Sequence, residues 1–359
     1  MRKLIIVLFV VVLIFITGCS DRSQTGYTRY QESYFDTFDT LVQFVAYTES
    51  EEEFNGYAEK FHERLKELHR LYDIYITYEG VNNLKTINDR AGIEPVKVDQ
   101  EIIDLILFSR EWSEKTGGAV NIALGPVLSI WHSYREEALF DPANAELPPM
   151  EKLREAMEYT DLDQVIVDTI QMTVYLPYPQ MSLDVGAVAK GYALQIAIKE
   201  LEEAGLNSAI VSAGGNIHIV GSPRDGERDR WGVGIQDPQA SIVGGQETLL
   251  DVIYLDRGSV DTSGDYQRYY IVEGELIHHL IDPATLMPAT HYRAVTVVAE
   301  DSGLADFMST ALFLIPFEES KTLAESLDNF EAIWVMPDGE VRTTEGMKSL
   351  LRSNGATAR

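Results

Sequence analysis

Apolar residues return along this chain at two spacings, and the change from one to the other marks the elements. Phe54, Tyr57, Phe61, Leu65, Leu68 and Leu71 or Tyr72 recur on one helical face, so the pattern predicts a helix from Ser50 or Glu51 to about Tyr72. Its opposite face is charged and solvated. The run TLVQFVAY at 40–47 predicts a strand before it. Ile102, Ile103, Ile106, Leu107, Arg110 and Trp112 predict a second helix over 99–115, which Gly117 and Gly118 stop. A third is expected over 149–159, followed by a short hairpin of 164–167 and 172–176 around Asp168 and Thr169. Residues 184–204 read as a turn feeding a helix, with Gly205 as its stop. Strands then dominate, at 209–212, 217–220, 231–235, 248–255, 269–272, 276–281 and 294–298. An apolar helix at 304–314, another at 318–327 and a strand at 332–336 complete the pattern. Hairpins mixed with helices, without strict alternation of strand and helix, predict an α+β fold with a mainly antiparallel sheet. No internal repeat or low-complexity linker interrupts 34–350.

The first residues change the picture of where this fold works. Met1, Arg2 and Lys3 precede an uncharged apolar run, 4–16, which ends at Thr17, Gly18, Cys19 and Ser20. That is the layout of a secretory signal, and the run is shorter than the ~20 residues that span a bilayer. Ile16-Thr17-Gly18-Cys19 resembles a bacterial lipobox, which implies cleavage before Cys19 and a diacylglycerol on its thiol. An uncleaved single-span anchor is the alternative, and either one places the protein outside the cytoplasm. The expected organisation is a signal peptide at 1–18, a lipidated tether at 19–33, one domain at 34–350 and a polar tail at 351–359. Nothing from Asp21 to about Gln31 is expected to fold, because the segment is polar and poor in apolar residues.

Composition narrows the partners. Cys19 is the single cysteine, so no internal disulfide forms and an ordinary core must hold the domain, for which 45% hydrophobic content over 359 residues suffices. The formal charge of −28 becomes two units more negative once Arg2 and Lys3 are removed. So acidic a surface excludes nucleic acid and adsorption to anionic lipid, both of which need a positive field. Anchoring is left to the lipid, and two acyl chains hold firmly where one does not.

Four segments set polar residues and glycines among apolar neighbours, the usual setting of a site. In Ser182-Leu183-Asp184-Val185-Gly186-Ala187-Val188-Ala189-Lys190, Gly186 permits close backbone approach, the nearby helix start offers N–H groups suited to phosphate, and Lys190 adds a point charge. A plain strand-to-helix turn with a snorkelling lysine reads equally well for this segment alone. Ser212-Ala213-Gly214-Gly215-Asn216 is a glycine pair between strands, which a hairpin turn also explains. Asp261-Thr262-Ser263-Gly264-Asp265-Tyr266-Gln267-Arg268 precedes His278-His279-Leu280-Ile281-Asp282-Pro283. Neighbouring side chains on a strand face opposite ways, so at most one of the two histidines belongs to a site. Finally, Asp306 and Thr310 share a face of an otherwise apolar helix, where a carboxylate and a hydroxyl are costly unless paired. Oxygen ligands of this type suit Mg²⁺, although a buried partner for a lysine is the plainer reading of Asp306.

Taken in order, these segments resemble the FAD:protein FMN transferase (ApbE) family from about Asp36 to Trp334. The resemblance is carried by Tyr78 ahead of residues 82–88, Gly117-Gly118-Ala119 leading to Gly125-Pro126-Val127 and Ile130-Trp131, DVGAVAKGYA, GGN, TSGDYQR, HHLIDP with Thr285 and Pro288, and ADFMSTALF. It implies an ApbE-like, T-fold-related architecture and a magnesium enzyme, with Mn²⁺ the other candidate. Such an enzyme splits FAD, attaches FMN through a phosphoester to a threonine of an acceptor flavoprotein, and releases AMP. Carried over by position, the metal ligands are Asp306, Thr310 and the carbonyl of Ala187. FAD contacts fall to Phe38, where the family usually has Met, to Tyr78, Ala119, Val120, Asn121, Asp184 and Lys190, and near His279. His279 matches the histidine that helps the attacking hydroxyl lose its proton, and Tyr78 is suited to packing against a ring of the flavin cofactor.

Two departures stand out. Val120-Asn121 replaces the usual Phe-Asp, removing a carboxylate near the cofactor. Leu286 replaces a glycine after Thr285, so that turn is expected to take another shape. Alternatives to transfer are hydrolysis of FAD to FMN and AMP, with water in place of threonine, and a lipoprotein that binds flavin or another solute without turnover.

Overall fold

The computed structural model describes residues 26–239 and 248–359. Its frame is an eight-stranded antiparallel sheet whose spatial order follows the chain: β1 (Thr28–Thr37), β2 (Thr40–Thr48), β3 (Ala209–Ala213), β4 (Asn216–Val220), β5 (Gly258–Gly264), β6 (Ala294–Ala299), β7 (Glu331–Val335) and β8 (Val341–Thr343). Alternation along each strand separates two layers. Val42, Phe44 and Ala46 of β2 enter the larger core with Phe54, Phe61 and Leu65, while Val45 and Tyr47 face a second core with Trp231 and Ile253. Strand residues on both faces are therefore buried, which is why β6 is apolar at nearly every position.

The larger layer is helical. It holds α1 (Glu51–Tyr72), α2 (Gln100–Lys115), α4 (Ala189–Glu203) and α5 (Ser302–Leu314), with α3 (Gly125–Phe140) to one side. Ser50 caps α1 by accepting from the Glu53 amide at 3.2 Å, and three glutamates occupy its first turn, opposing the positive helix end. Helix α5 is buried along almost its whole length between the sheet and α4, with Asp301 accepting from the Leu304 amide. The second layer is a hairpin of Trp231–Gln236 and Leu249–Leu255, closed by Met347 and Leu351.

The α+β class and the antiparallel sheet are as the sequence predicts. Several local expectations are corrected. Strand β1 starts at Thr28, inside the segment expected to be an unfolded tether, and pairs with β2 from Thr28–Thr48 onward. Its polar side chains face solvent, so it lacks the alternation that would reveal it. The polar tail after 350 packs on the domain: Leu351 is buried, and the Ala358 carbonyl accepts from the Asp229 and Arg230 amides. The strand expected over 276–281 breaks after His278 and leaves His279 on a bend. The signal and Cys19 lie outside the described residues.

Candidate active site

A cavity of about 220 Å³ opens where α3, α4, α5, β5 and the hairpin of Tyr269–Val272 and Glu275–His278 converge. Its floor is set by one close helix crossing. A Cβ on Gly191 would lie 2.2 Å from the Ser302 carbonyl oxygen and 2.5 Å from Asp306 Cβ, so only glycine lets α4 and α5 meet here. The crossing is also bonded, because the Gly191 amide donates to Asp306 Oδ2 at 2.8 Å and Ser302 Oγ donates to the Gly191 carbonyl.

That contact leaves Asp306 Oδ1 facing Lys190 Nζ at 3.7 Å. From β5, Asp261 and Ser263 point the same way because they are two apart on a strand. Ser309 Oγ donates to Asp261 Oδ2 at 2.7 Å, and Ser263 Oγ lies 2.9 Å from Ser309 Oγ and 3.2 Å from Thr310 Oγ1. Burial, and then the Asp306 carboxylate, push the Asp261 carboxyl well above the ordinary range, while Lys190 and Ser309 oppose the shift. Two buried carboxylates thus share one ammonium, a charge deficit that a small cation relieves. All the free donors are oxygens, and among the described residues no group of three or more His, Cys, Asp or Glu converges. Such a set fits Mg²⁺, which takes one or two carboxylates and completes its shell with phosphate and water. Asp306, Thr310 and Ala187 all border the cavity here.

The same cavity is lined by a second set of charges. The Gly186 amide donates to Asp184 Oδ1 at 2.9 Å; burial raises the Asp184 carboxyl, and His132, Arg268 and Arg135 act against that rise. Arg135 Nη2 sits 2.7 Å from His132 Nδ1, and a guanidinium only donates, so that nitrogen accepts. His279 Nδ1 lies 3.2 Å from the Arg268 carbonyl oxygen, which only accepts. The proton is therefore on Nδ1, and Nε2 keeps its lone pair. Burial, with the charges of Arg268 and His278, pushes the His279 pKa down to about 3. His278 also borders the cavity, contrary to the strand argument, because the strand ends there. Both its nitrogens are engaged: Nε2 donates to the Ala289 carbonyl at 2.8 Å and Nδ1 accepts from the Leu280 amide at 3.2 Å. His279 is left as the free base.

Of the residues expected to hold FAD, Ala119, Val120, Asn121, Asp184 and Lys190 border the cavity. The Asn121 side chain, however, is spent on structure, accepting from the Ala123 amide and donating to the Thr160 carbonyl, both at 2.8 Å. Phe38 and Tyr78 are not on the cavity wall. Phe38, at φ 52°, donates its amide to His69 Nδ1 at 3.2 Å, and the Tyr78 hydroxyl donates to Asp73 Oδ2 at 2.7 Å. The tyrosine at the wall is Tyr75, its ring 5.6 Å from that of His132. Sequence reading passed over Tyr75, Arg135, His132 and Arg268; the last lay in a motif already singled out.

Two more expectations change. The N–H groups at the start of α4 are partly taken up within the fold: those of Val188 and Ala189 go to the Val185 carbonyl, and that of Gly191 goes to Asp306. Leu286 does not force the turn into another shape. It adopts φ 61°, the region glycine ordinarily fills, with its amide on the Asp282 carbonyl at 2.8 Å and its carbonyl on Trp131 Nε1 at 3.1 Å. Burial of its side chain beside Trp131 offsets the strain.

Residues 38–334 match the model of the ApbE family. The chain belongs to the ApbE family. It is 34% identical over 281 residues to the FAD:protein FMN transferase of Treponema pallidum (strain Nichols), covering 75% of each chain. A Klebsiella pneumoniae (strain 342) protein of the same name is 28% identical over 274 residues, 76% of this chain and 80% of that one. Among solved structures, the ApbE protein from Thermotoga maritima superposes with a TM-score of 0.77 at 30% identity, over 90% of this chain and 99% of that one. The flavin transferase ApbE from Vibrio cholerae shares the fold, with a TM-score of 0.73 at 20% identity over 90% of this chain and all of that one. The ApbE match spans every residue that lines the cavity, from Tyr75 to Leu314.

Proposed function

We propose that this protein transfers FMN from FAD to a threonine of an acceptor flavoprotein, releases AMP, and works outside the cytoplasm on a lipid anchor at Cys19. The observation that carries the reading is the cluster of Asp306, Asp261, Thr310 and Lys190, which lines the same cavity as a histidine whose Nε2 keeps its lone pair. Its oxygen donors suit Mg²⁺, with Mn²⁺ the alternative; bound beside Asp306, Thr310 and the Ala187 carbonyl, the ion would neutralise charge on the phosphate oxygens.

The chain's own residues supply the remaining needs. Lys190 brings a positive charge to the phosphate, and Asp184 with Arg135 and Arg268 offers an acceptor beside donors to the rest of the dinucleotide. In the transfer, the threonine oxygen bonds to the FMN phosphorus and its proton passes to His279 Nε2. The P–O bond to AMP breaks, and its electron pair leaves on AMP. The bond from Nδ1 to the Arg268 carbonyl holds the ring in the tautomer whose Nε2 has the lone pair this step needs. The names of the relatives support the flavin reading, and the apolar run ending at Cys19 supports the address.

The test incubates the protein with FAD, Mg²⁺ and a candidate acceptor domain and weighs the acceptor by mass spectrometry. Gain of one FMN together with release of AMP is expected. FMN and AMP formed with no gain in acceptor mass would mean that water is the acceptor, and intact FAD would end the enzymatic reading. Asp306→Ala is expected to abolish transfer while FAD still binds.

A further inference from the structure

Among the described residues four buried side-chain atoms have no hydrogen-bond partner: Thr37 Oγ1, Arg110 Nε, Asn216 Nδ2 and Asp265 Oδ1. Only Asn216 of these belongs to a residue that borders the cavity. Asn216 is 2% exposed, so solvent does not satisfy that amide. A buried donor left unpaired is costly, so its retention at a cavity wall points to an acceptor that arrives with the ligand.

Its position says which part of the ligand. Asn216 opens β4 after the tight turn of Gly214 and Gly215, at φ 58° and 104°, and pairs across that turn with Ala213. A Cβ on Gly214 would lie 2.2 Å from Thr40 Oγ1, so the turn is wedged against the start of β2 and has little room to move. On the other side β4 is in register with β5 at Ile217 and Val260, so Asn216 and Asp261 are the next residues of the two strands where that ladder ends. The amide thus belongs to the Asp261, Asp306 and Lys190 end of the cavity. It adds a neutral donor there, where a third carboxylate would deepen the charge deficit.

We propose that Asn216 is a catalytic residue, its carboxamide N–H donating to an oxygen of the phosphoryl group that moves from FAD to the acceptor. The inference rests on the transferase reading above. While the threonine oxygen bonds to phosphorus, its proton goes to His279 and the P–O bond to AMP breaks, charge redistributes over the phosphoryl oxygens. A donor already fixed by the Gly214–Gly215 turn meets that charge without reorganising. This separates Asn216 from a structural asparagine such as Asn121, whose amide and carbonyl are both engaged within the fold.

Asn216→Ala and Asn216→Asp test it, with transfer kinetics, direct FAD titration and thermal melting measured on each. Removing the donor is expected to lower kcat about 100-fold, the usual effect of deleting one fixed donor to a developing oxyanion, with FAD affinity little changed. Asn216→Asp keeps the shape, replaces the donor with an acceptor beside Asp261, and is expected to lose at least as much. Because an unpaired buried donor is removed, Asn216→Ala should melt at the wild-type temperature or above it. Unchanged kcat in Asn216→Ala would overturn the proposal, since the amide would then serve a water molecule. A lowered melting temperature with a parallel loss of FAD affinity would also overturn it, as a structural role predicts that pattern. Wild-type protein that leaves FAD intact would instead remove the transferase reading itself.

Discussion

At the scale of single residues, two histidines show how burial sets protonation. His218 is buried, with Nδ1 2.8 Å from Ser259 Oγ, and burial pushes its pKa down to about 4. The unfolded chain takes up the proton near ~6.5, well before the folded one, so His218 makes stability fall as pH drops from about 6.5 toward 4. The whole effect is on the order of 3 kcal/mol. The buried aspartates whose pKa is raised work in the opposite direction, so the effect is isolated by comparison with His218→Gln, which keeps them all. In urea unfolding, the stability of wild type relative to that variant should decline by about this amount between pH 7 and pH 4. A constant difference would mean that His218 charges in the folded state. His279 makes a kinetic counterpart. With its pKa near 3, the kcat/KM profile, which reports free enzyme, should show no acid limb near 6.5 from this residue. A limb at that pH that His279→Asn removes would contradict the assignment.

The residues legible from sequence were those whose spacing carries chemistry. Asp306 and Thr310 are four apart on an apolar helix, and Lys190 follows a glycine-bearing turn. Asp261 and Asn216 were inside singled-out motifs, yet their roles depend on strand register and on which polar atoms are left unpaired. Neither is written in local spacing. Phe38 and Tyr78 match their motif positions but lie off the cavity wall, since a position in a motif does not fix where a ring points.

At the scale of elements, the decisive contact is the crossing of α4 and α5. It holds Lys190 and Asp306 3.7 Å apart and positions Asp306 through the Gly191 amide. Gly191→Ala would drive a methyl group into the Ser302 carbonyl and the Asp306 side chain. Both are well packed, so the helices must separate, and a loss of about 1–3 kcal/mol is expected from overpacking. Activity should fall further than stability does, because separation also removes the bond that orients Asp306. A thermal melt and a transfer assay at a temperature where the variant is fully folded separate the two effects. Full activity in the folded variant would show that the crossing has only a packing role. Helices α1 and α2 were readable because one face is solvated and the hydrophobic period is clear. Helix α3 was not, as apolar and polar residues fall on most of its faces where it lines the cavity with Leu128, Trp131, His132 and Arg135. Strand β5, GSVDTSG, hid for a related reason, being buried yet mostly polar.

At the scale of the molecule, β1 decides where the folded domain begins. It forms the edge of the sheet, with Tyr34 donating its hydroxyl to the Ala58 carbonyl at 3.1 Å and Tyr30 stacked on Phe54 at 5.4 Å. The domain therefore begins near residue 27, and the segment between Cys19 and the first strand is much shorter than composition suggested. If Cys19 carries the lipid proposed above, so few residues between it and β1 would hold the enzyme near membrane-bound acceptors, at raised effective concentration. A chain beginning at Tyr27 keeps β1, so it should melt like the full protein and transfer FMN to a soluble acceptor domain at the same rate. Its transfer to an acceptor embedded in vesicles should be slower, and it should no longer float with those vesicles. A chain beginning at Phe38 loses β1, uncovers the polar backbone edge of β2, and removes the cover over Phe54 and Ala58. That protein should aggregate on size-exclusion chromatography. If it stayed monomeric and active, β1 would be an accessory to the tether after all. If the full chain failed to float, or Cys19 weighed as an unmodified thiol, the lipid anchor would be wrong while the catalytic reading stood.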